Sequence, residues 1–344
     1  MQQVMNSEKP LKPRVAIIFT GGTIAMKLDE AFGGVVPALS ASDILDAVPG
    51  VRNMADVEVY EFGRFPGPHM TPEKMFTLSQ LVQQYVAREE ITGVVITHGT
   101  DTLEETAYFL DCTLHTQKSV VVVGAMRNSS EPDWDGPKNL RDGIIIASHP
   151  GFKNFGTMIC LAGTVNAASE ASKTDTNELN TFESFDFGPL GRISSHNVIL
   201  YRKPLHRETF SIDNLPKYIP LFKCYAGMGG ELIHHAIELG ADGIVVEAFG
   251  VGNVPPPVFY ELAEAVKKGI PVVLASRCPV GRTEHIYAYE GAGKQLYESG
   301  VIFCDFLNGQ KARIKLMAAL GAGLNYVQLK KSFEWVEHGN SVEF

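Results

Sequence analysis

The chain has no CxxC pair. Its five cysteines, Cys112, Cys160, Cys224, Cys278 and Cys304, are odd in number and scattered, mostly within apolar segments. That excludes zinc-ribbon and thioredoxin-type motifs and leads us to expect buried free thiols. The ten histidines include no HExxH or comparable ligand spacing, so no metal site is expected. Long hydrophobic runs are missing too: stretches such as Ile144 to Ala147 fall far short of the roughly 20 residues a membrane span needs. The opening MQQVMNSEKPLKPR carries no apolar h-region, so the reading is no secretory leader and a cytoplasmic location. Clustered positive charge is absent, with 30 Lys and Arg against 39 Asp and Glu and a net charge of -9. Such a surface gives no footprint for a phosphate backbone or an anionic bilayer, so neither nucleic-acid nor membrane partners are expected.

What is present is ordinary globular material, 45% apolar and 20% charged, in a chain of 344 residues. That length favours two domains. Short apolar runs alternate with longer amphipathic ones: VAIIF then DILDAV, VVIT then TLEETAYFLDCTL, SVVVV then NLRDGIIIASH, and then TMICLAG. Continuous apolar strands that alternate with helices indicate an α/β fold whose sheet is covered on both faces. The period lapses through YRKPLHRETFSIDNLPKYIP and resumes at HHAIELGADGIVVEAFG. The expected organisation is a larger doubly wound, mostly parallel-sheet domain over residues 1–203, a connection over 204–220, and a smaller α/β domain over 221–344.

Two strands end in small polar loops, AIIFTGGTIA at Ala16 to Ala25 and VVITHGTDTLEE at Val94 to Glu105. The carboxyl ends of parallel strands form the ligand crevice of an open α/β sheet. Thr102 precedes Glu105 by three residues, the spacing of a capping box that would present Thr100 and Asp101 at a helix N-terminus. Each loop alone could equally be a tight turn or a helix cap. Neither fits GxGxxG or GxxxxGK[ST], which argues against a nucleotide ligand. Hydroxyls, a carboxylate and backbone N–H groups suit acyl transfer, for which the missing base can come from Lys173 in EASKTDTNELNT. A lysine in a polar loop is also an ordinary surface residue.

Taken in order, TGGTIA, THGTDTLEETAYFL, VVVVGAMR, KTDTNELNTF and FGVGN resemble the bacterial-type asparaginase family, which includes related glutaminases. The likeness runs from about Arg14 to Leu320. It implies hydrolysis of L-asparagine, a small-molecule amide, through a threonine acyl-enzyme, with no metal or organic cofactor, in a homotetramer of intimate dimers. Carried over motif by motif, Thr23 falls on the nucleophile, and Thr100, Asp101 and Lys173 on the second catalytic set. Gly22, Gly99 and Ala125 fall in the substrate-binding loops, with Ala125 at the contact to the leaving amide. Asn253 matches a residue given across the dimer to the neighbouring site. Which threonine attacks is inherited from the resemblance, since the residues alone make the two equivalent.

Two stretches depart from the pattern. The loop after GGTIA reads MKLDEAFGGVVPALS and has no tyrosine; Val35 stands where the family carries one, so Tyr287, Tyr289 or Glu290 of a partner is the expected substitute. In EFGRFPGPHMTPEKM the family's Ser-Gln type pair is replaced by Gly67, Pro68 and His69. His69 either caps or packs on the next helix or contacts a substrate carboxylate. Another small amide or lactam is therefore the alternative substrate. A tRNA-dependent amidotransferase subunit would need a further N-terminal domain where only 20 residues precede Gly21, and a non-catalytic binding module has little reason to keep Thr23, Thr100, Asp101 and Lys173 together.

Overall fold

A computed structural model describes residues 12–194 and 197–336; the first eleven residues, on which much of the leader reading rests, lie outside it. The first domain runs β1 (Arg14–Gly21), β2 (Met26–Asp29), β3 (Gly34–Pro37), α1 (Ala41–Asp46), α2 (Val51–Met54), β4 (Asp56–Phe65), α3 (Pro72–Ala87), β5 (Ile91–Thr97), α4 (Leu103–Thr113) and β6 (Ser119–Val123). It continues with α5 (Gly136–Ser148), β7 (Thr157–Leu161), β8 (Thr164–Ala167), β9 (Ser172–Lys173), β10 (Phe182–Glu183), β11 (Gly191–Ile193) and β12 (Val198–Leu200). Eight of these strands form one sheet in the order β12-β11-β8-β7-β6-β5-β1-β4. The span from β4 to β7 is parallel, and the β8, β11 and β12 end is antiparallel.

Alternation along β1 shows why its run is apolar throughout. Val15 and Ile17 face a core closed by Ile44 of α1 and Leu140 and Ile144 of α5, while Ala16 and Ile18 face one closed by Leu78 of α3 and Leu103 of α4. With helices on both faces, neither side of the strand meets water, so a period of two never appears. Strand β1 lies between β4 and β5, so the chain leaves it in one direction and returns on the other side. That reversal opens a crevice at the strand carboxyl ends, beside the loops that follow β1, β5 and β6.

Between Leu200 and Leu221 there is no helix or strand, although Phe210 and Ile219 are buried and Arg207 pairs with Asp111 of α4 at 3.0 Å. The second domain comprises β13 (Leu221–Lys223), α6 (Glu231–Glu238), β14 (Ile244–Ala248), α7 (Pro256–Lys267), β15 (Val272–Ser276), α8 (Gly293–Glu298), β16 (Ile302–Phe303), α9 (Gly309–Gly321) and α10 (Tyr326–Phe333). Its four strands are parallel in the order β13-β14-β15-β16. Phe109 of α4, Ile314 and Leu316 of α9 and Val273 of β15 share one core, which seats α9 against the first domain. No helix among the described residues is long and apolar enough to cross a membrane.

The thiols correct one expectation. Cys112, Cys160, Cys224 and Cys304 are buried, but Cys278 is exposed in the turn after β15, because Arg277-Cys278-Pro279 leaves the sheet into solvent.

Candidate active site

Three glycines bring the loops together. Gly22, at φ 85°, lies so close to the second loop that a Cβ there would stand 2.4 Å from the Gly99 nitrogen. A Cβ on Gly99 would meet the Gly67 nitrogen at 2.7 Å. No side chain fits either contact, and Gly22 also needs a backbone region that L residues avoid. The contact between Gly22 and Gly99 places the next residues, Thr23 and Thr100, on two touching backbones. The Gly22 N–H is held by the Phe65 carbonyl at 3.0 Å, and Thr23 opens a single 3-10 turn, Thr23–Ala25. The β6 loop joins in register: the His98 N–H donates to the Val123 carbonyl at 2.8 Å, which brings Gly124 and the fully buried Ala125 alongside. Asp135 fixes that loop by accepting from the Met126 and Arg127 N–H groups.

Lys173 completes the cluster. Its ammonium donates to the Thr100 hydroxyl at 3.0 Å and to the Asp101 carboxylate at 2.8 Å. The lysine is mostly covered whereas Asp101 is 60% exposed, so solvent reaches one end of this row. The arrangement gives a hydroxyl, an amine and a carboxylate in hydrogen-bonded sequence, a proton path beside the Thr23 loop.

One residue acts here that the sequence did not single out. His98 is wholly buried: its Nδ1–H donates to the Gly99 carbonyl at 2.8 Å, and its Nε2 accepts from the Thr106 hydroxyl at 2.8 Å. Burial lowers its pKa to about 4, with the Gly99 bond opposing, so the ring stays neutral and ties Gly99 to α4. Its only sequence signal is its place inside Thr97-His98-Gly99-Thr100. Thr102 corrects the capping box: no side chain caps α4, because the Thr102 hydroxyl donates to the Gly67 carbonyl at 2.7 Å. A tertiary acceptor has displaced the local one, and the bond fastens the GPH loop to the second threonine loop.

That loop is divided. Gly67 is buried against Asp101, whereas Pro68 and His69 are exposed. Helix α3 is capped by Thr71, which accepts the Lys74 N–H at 3.4 Å, and His69 contributes its carbonyl to the Lys74 ammonium at 2.6 Å. Val35 is 43% exposed on the β2–β3 hairpin, opposite Leu28. Asn253 and Glu290 are not bonded to the cluster. The Asn253 side-chain oxygen accepts the Gly293 N–H at 3.2 Å, and Glu290 accepts the Tyr260 hydroxyl. Tyr287 and Tyr289 are exposed on the same domain with ring centroids 6.0 Å apart.

The chain matches the family described as "Asparaginase, N-terminal" over residues 14–206 and "Glutaminase/Asparaginase C-terminal domain" over 219–333. It is 36% identical over 325 residues to a probable L-asparaginase of Deinococcus radiodurans, covering 93% of this chain and 97% of that one. It is 34% identical over 330 residues to L-asparaginase 2 of Escherichia coli, covering 93% and 92%. The crystal structure of a probable cytoplasmic L-asparaginase from Campylobacter jejuni superposes with a TM-score of 0.83 at 33% identity, over 94% of this chain and 99% of that one. With the two-domain fold, the glycine-joined threonine loops and matches over both domains, the chain belongs to the asparaginase family.

Proposed function

We propose that the protein hydrolyses L-asparagine to L-aspartate and ammonia through an acyl-enzyme on Thr23. The observation that carries this reading is the row of Thr100, Lys173 and Asp101, at 3.0 and 2.8 Å, beside the Gly22–Gly99 contact. The Thr23 Oγ attacks the side-chain amide carbon, and Lys173, reacting in its free-amine form and held by Asp101, accepts or relays the hydroxyl proton. Backbone N–H groups of the two threonine loops stabilise the oxyanion, worth roughly 3 to 4 kcal/mol per donor. The C–N bond then breaks as the proton taken from Thr23 passes to the amide nitrogen, and ammonia leaves beside Ala125. Water positioned by Thr100 and Lys173 cleaves the ester, its oxygen going to the aspartate carboxyl and one of its protons back to the Thr23 Oγ. Gly22 and Gly99 serve by letting the two threonine loops touch, which sets Thr23 and Thr100 and their N–H groups on either side of the substrate.

In this reading the working enzyme is a cytoplasmic homotetramer, a dimer of intimate dimers, in which Asn253 and Glu290 complete the neighbour's site. The anchoring of both residues in the second domain, away from the cluster of their own chain, supports it. A fully active monomer at assay dilution would refute it. A second reading, a different small amide or lactam, draws on the exposed Pro68 and His69 and on Val35. Ammonia release from L-asparagine, L-glutamine, D-asparagine and simple carboxylate-bearing amides, with Thr23→Ala as blank, decides between the two. Release from L-asparagine that the blank lacks supports the first; silence on it with Thr23-dependent release from another amide supports the second.

A further inference from the structure

Strand β9, which carries Lys173, is two residues long and, among the described residues, pairs only with the two residues of β10. An isolated pair of that length is marginal and cannot by itself fix a lysine to the accuracy that proton transfer needs. Bonds from Thr174 and Asp175 to Thr181, and from Asn166 to the Phe182 carbonyl at 3.0 Å, hold the pair from within the first domain. A further hold on the segment just before Lys173 comes from the other domain. Helix α9 begins at its cap Asn308, and Lys311 on its first turn is 1% exposed. The Lys311 ammonium donates to the carbonyls of Ala171 and of Ser169, the latter at 3.3 Å, immediately upstream of β9. It also stands 3.7 Å from the carboxylate of Glu104, on the first turn of α4 and three residues after Asp101.

The neighbours of Lys311 repeat the pattern. Asn308 donates to Glu104 at 3.3 Å and to the Ser172 hydroxyl at 2.9 Å, and Gln310 donates to the other Glu104 oxygen at 3.1 Å. Three polar side chains of one helix end, Asn308, Gln310 and Lys311, therefore reach two segments of the first domain, each next to one partner of the Lys173–Asp101 pair. Burying an ammonium and a carboxylate is costly. A lysine that merely joined the domains could do so at the rim, in water.

We propose that Lys311 is a positioning residue, holding the segments that carry Asp101 and Lys173 at the spacing that keeps the Thr100–Lys173–Asp101 row intact. It touches neither substrate nor reacting atoms and acts through Ala171 and Glu104. Burial lowers its pKa while Glu104 and Glu170 oppose the shift, in keeping with a desolvated amine held by acceptors rather than by water. The proposal rests on the reading that Lys173 and Thr100 serve catalysis, so its test includes a measurement that does not depend on any substrate.

Two variants are compared with the wild type, Lys311→Met alone and Lys311→Met with Glu104→Gln. The double variant leaves no buried carboxylate orphaned and so guards against misfolding. Crystal structures report the Lys173 contacts, and ammonia release from L-asparagine reports kcat and KM on protein whose folded fraction is set by circular dichroism. The expected result is a Lys173 ammonium beyond about 3.5 Å from Thr100 or Asp101. With it, kcat per folded enzyme falls about 100-fold while KM stays within roughly threefold. A Lys173 still bonded to both partners, or a kcat unchanged per folded enzyme, overturns the proposal. A wild type inactive on L-asparagine would count against the substrate reading alone, and the crystallographic distances would still decide for or against Lys311.

Discussion

The ammonium of Lys173 lies 3.0 Å from the hydroxyl of Thr100, across 73 positions of sequence and from a strand outside the main sheet. Asp101, the next residue after Thr100, takes the same ammonium at 2.8 Å. Replacing the lysine by methionine keeps its length and removes the amine. Steady-state ammonia release should then show kcat lowered by about 100- to 10,000-fold, the range of a lost acid or base. Full activity in a folded Lys173→Met protein would remove the amine from the mechanism.

Gly22 offers a test of the loop junction. Alanine there combines φ 85° with a Cβ 2.4 Å from the Gly99 nitrogen, so Gly22→Ala should destabilise by about 3 kcal/mol or more. Gly33, at φ 61° on the hairpin tip with open space around it, is the control, and Gly33→Ala should cost about 1 kcal/mol. Urea unfolding measures both, and equal losses would contradict the packing described.

The buried imidazole of His98 sets a pH dependence. Its folded pKa, about 4, lies below the ordinary 6.5, so the unfolded chain binds more protons between those values. Its contribution is complete above pH 6.5 and is lost as pH falls toward 4, on the order of 3 kcal/mol in all. A His98→Leu variant should lose less stability than the wild type over that window, whatever its absolute stability. Parallel stability curves for the two proteins would argue against a buried neutral ring.

Thiol accessibility should separate Cys278 from the rest. Burial pushes the Cys304 thiol up to about 12 and the Cys224 thiol up to about 11, with Cys112 and Cys160 raised further. A thiol reagent at mildly alkaline pH should label at most one cysteine per native chain and all five in denaturant. Rapid reaction of several native thiols would contradict the core packing.

Particular residues show how far the sequence could be read. The strands of the main sheet were legible because cover on both faces forces runs such as Val15 to Phe19 and Val120 to Val123 to be apolar throughout. The fold class followed from their alternation with helices. Thr102 departs from the capping box because that box is a local pattern, while its hydroxyl finds a better acceptor in Gly67, 35 positions away. His98 carries no comparable signal, because nothing in a lone histidine tells whether its ring is buried. Cys278 sits in a short loop between a strand and a proline, where apolar neighbours in sequence are a poor guide to burial.

The most direct test of the account is to find the covalent intermediate. Wild type and Thr100→Val, in which the deacylating water loses a positioning hydroxyl, are acid-quenched during turnover of L-asparagine and analysed as tryptic peptides. An acyl-enzyme on Thr23 should appear as an aspartyl ester on the peptide Val15 to Lys27, at Thr23 rather than at Thr20, whose hydroxyl is buried and bonded to the Thr97 carbonyl at 2.7 Å. An ester on Thr100 in the wild type, or none on either protein while ammonia is released, would contradict it.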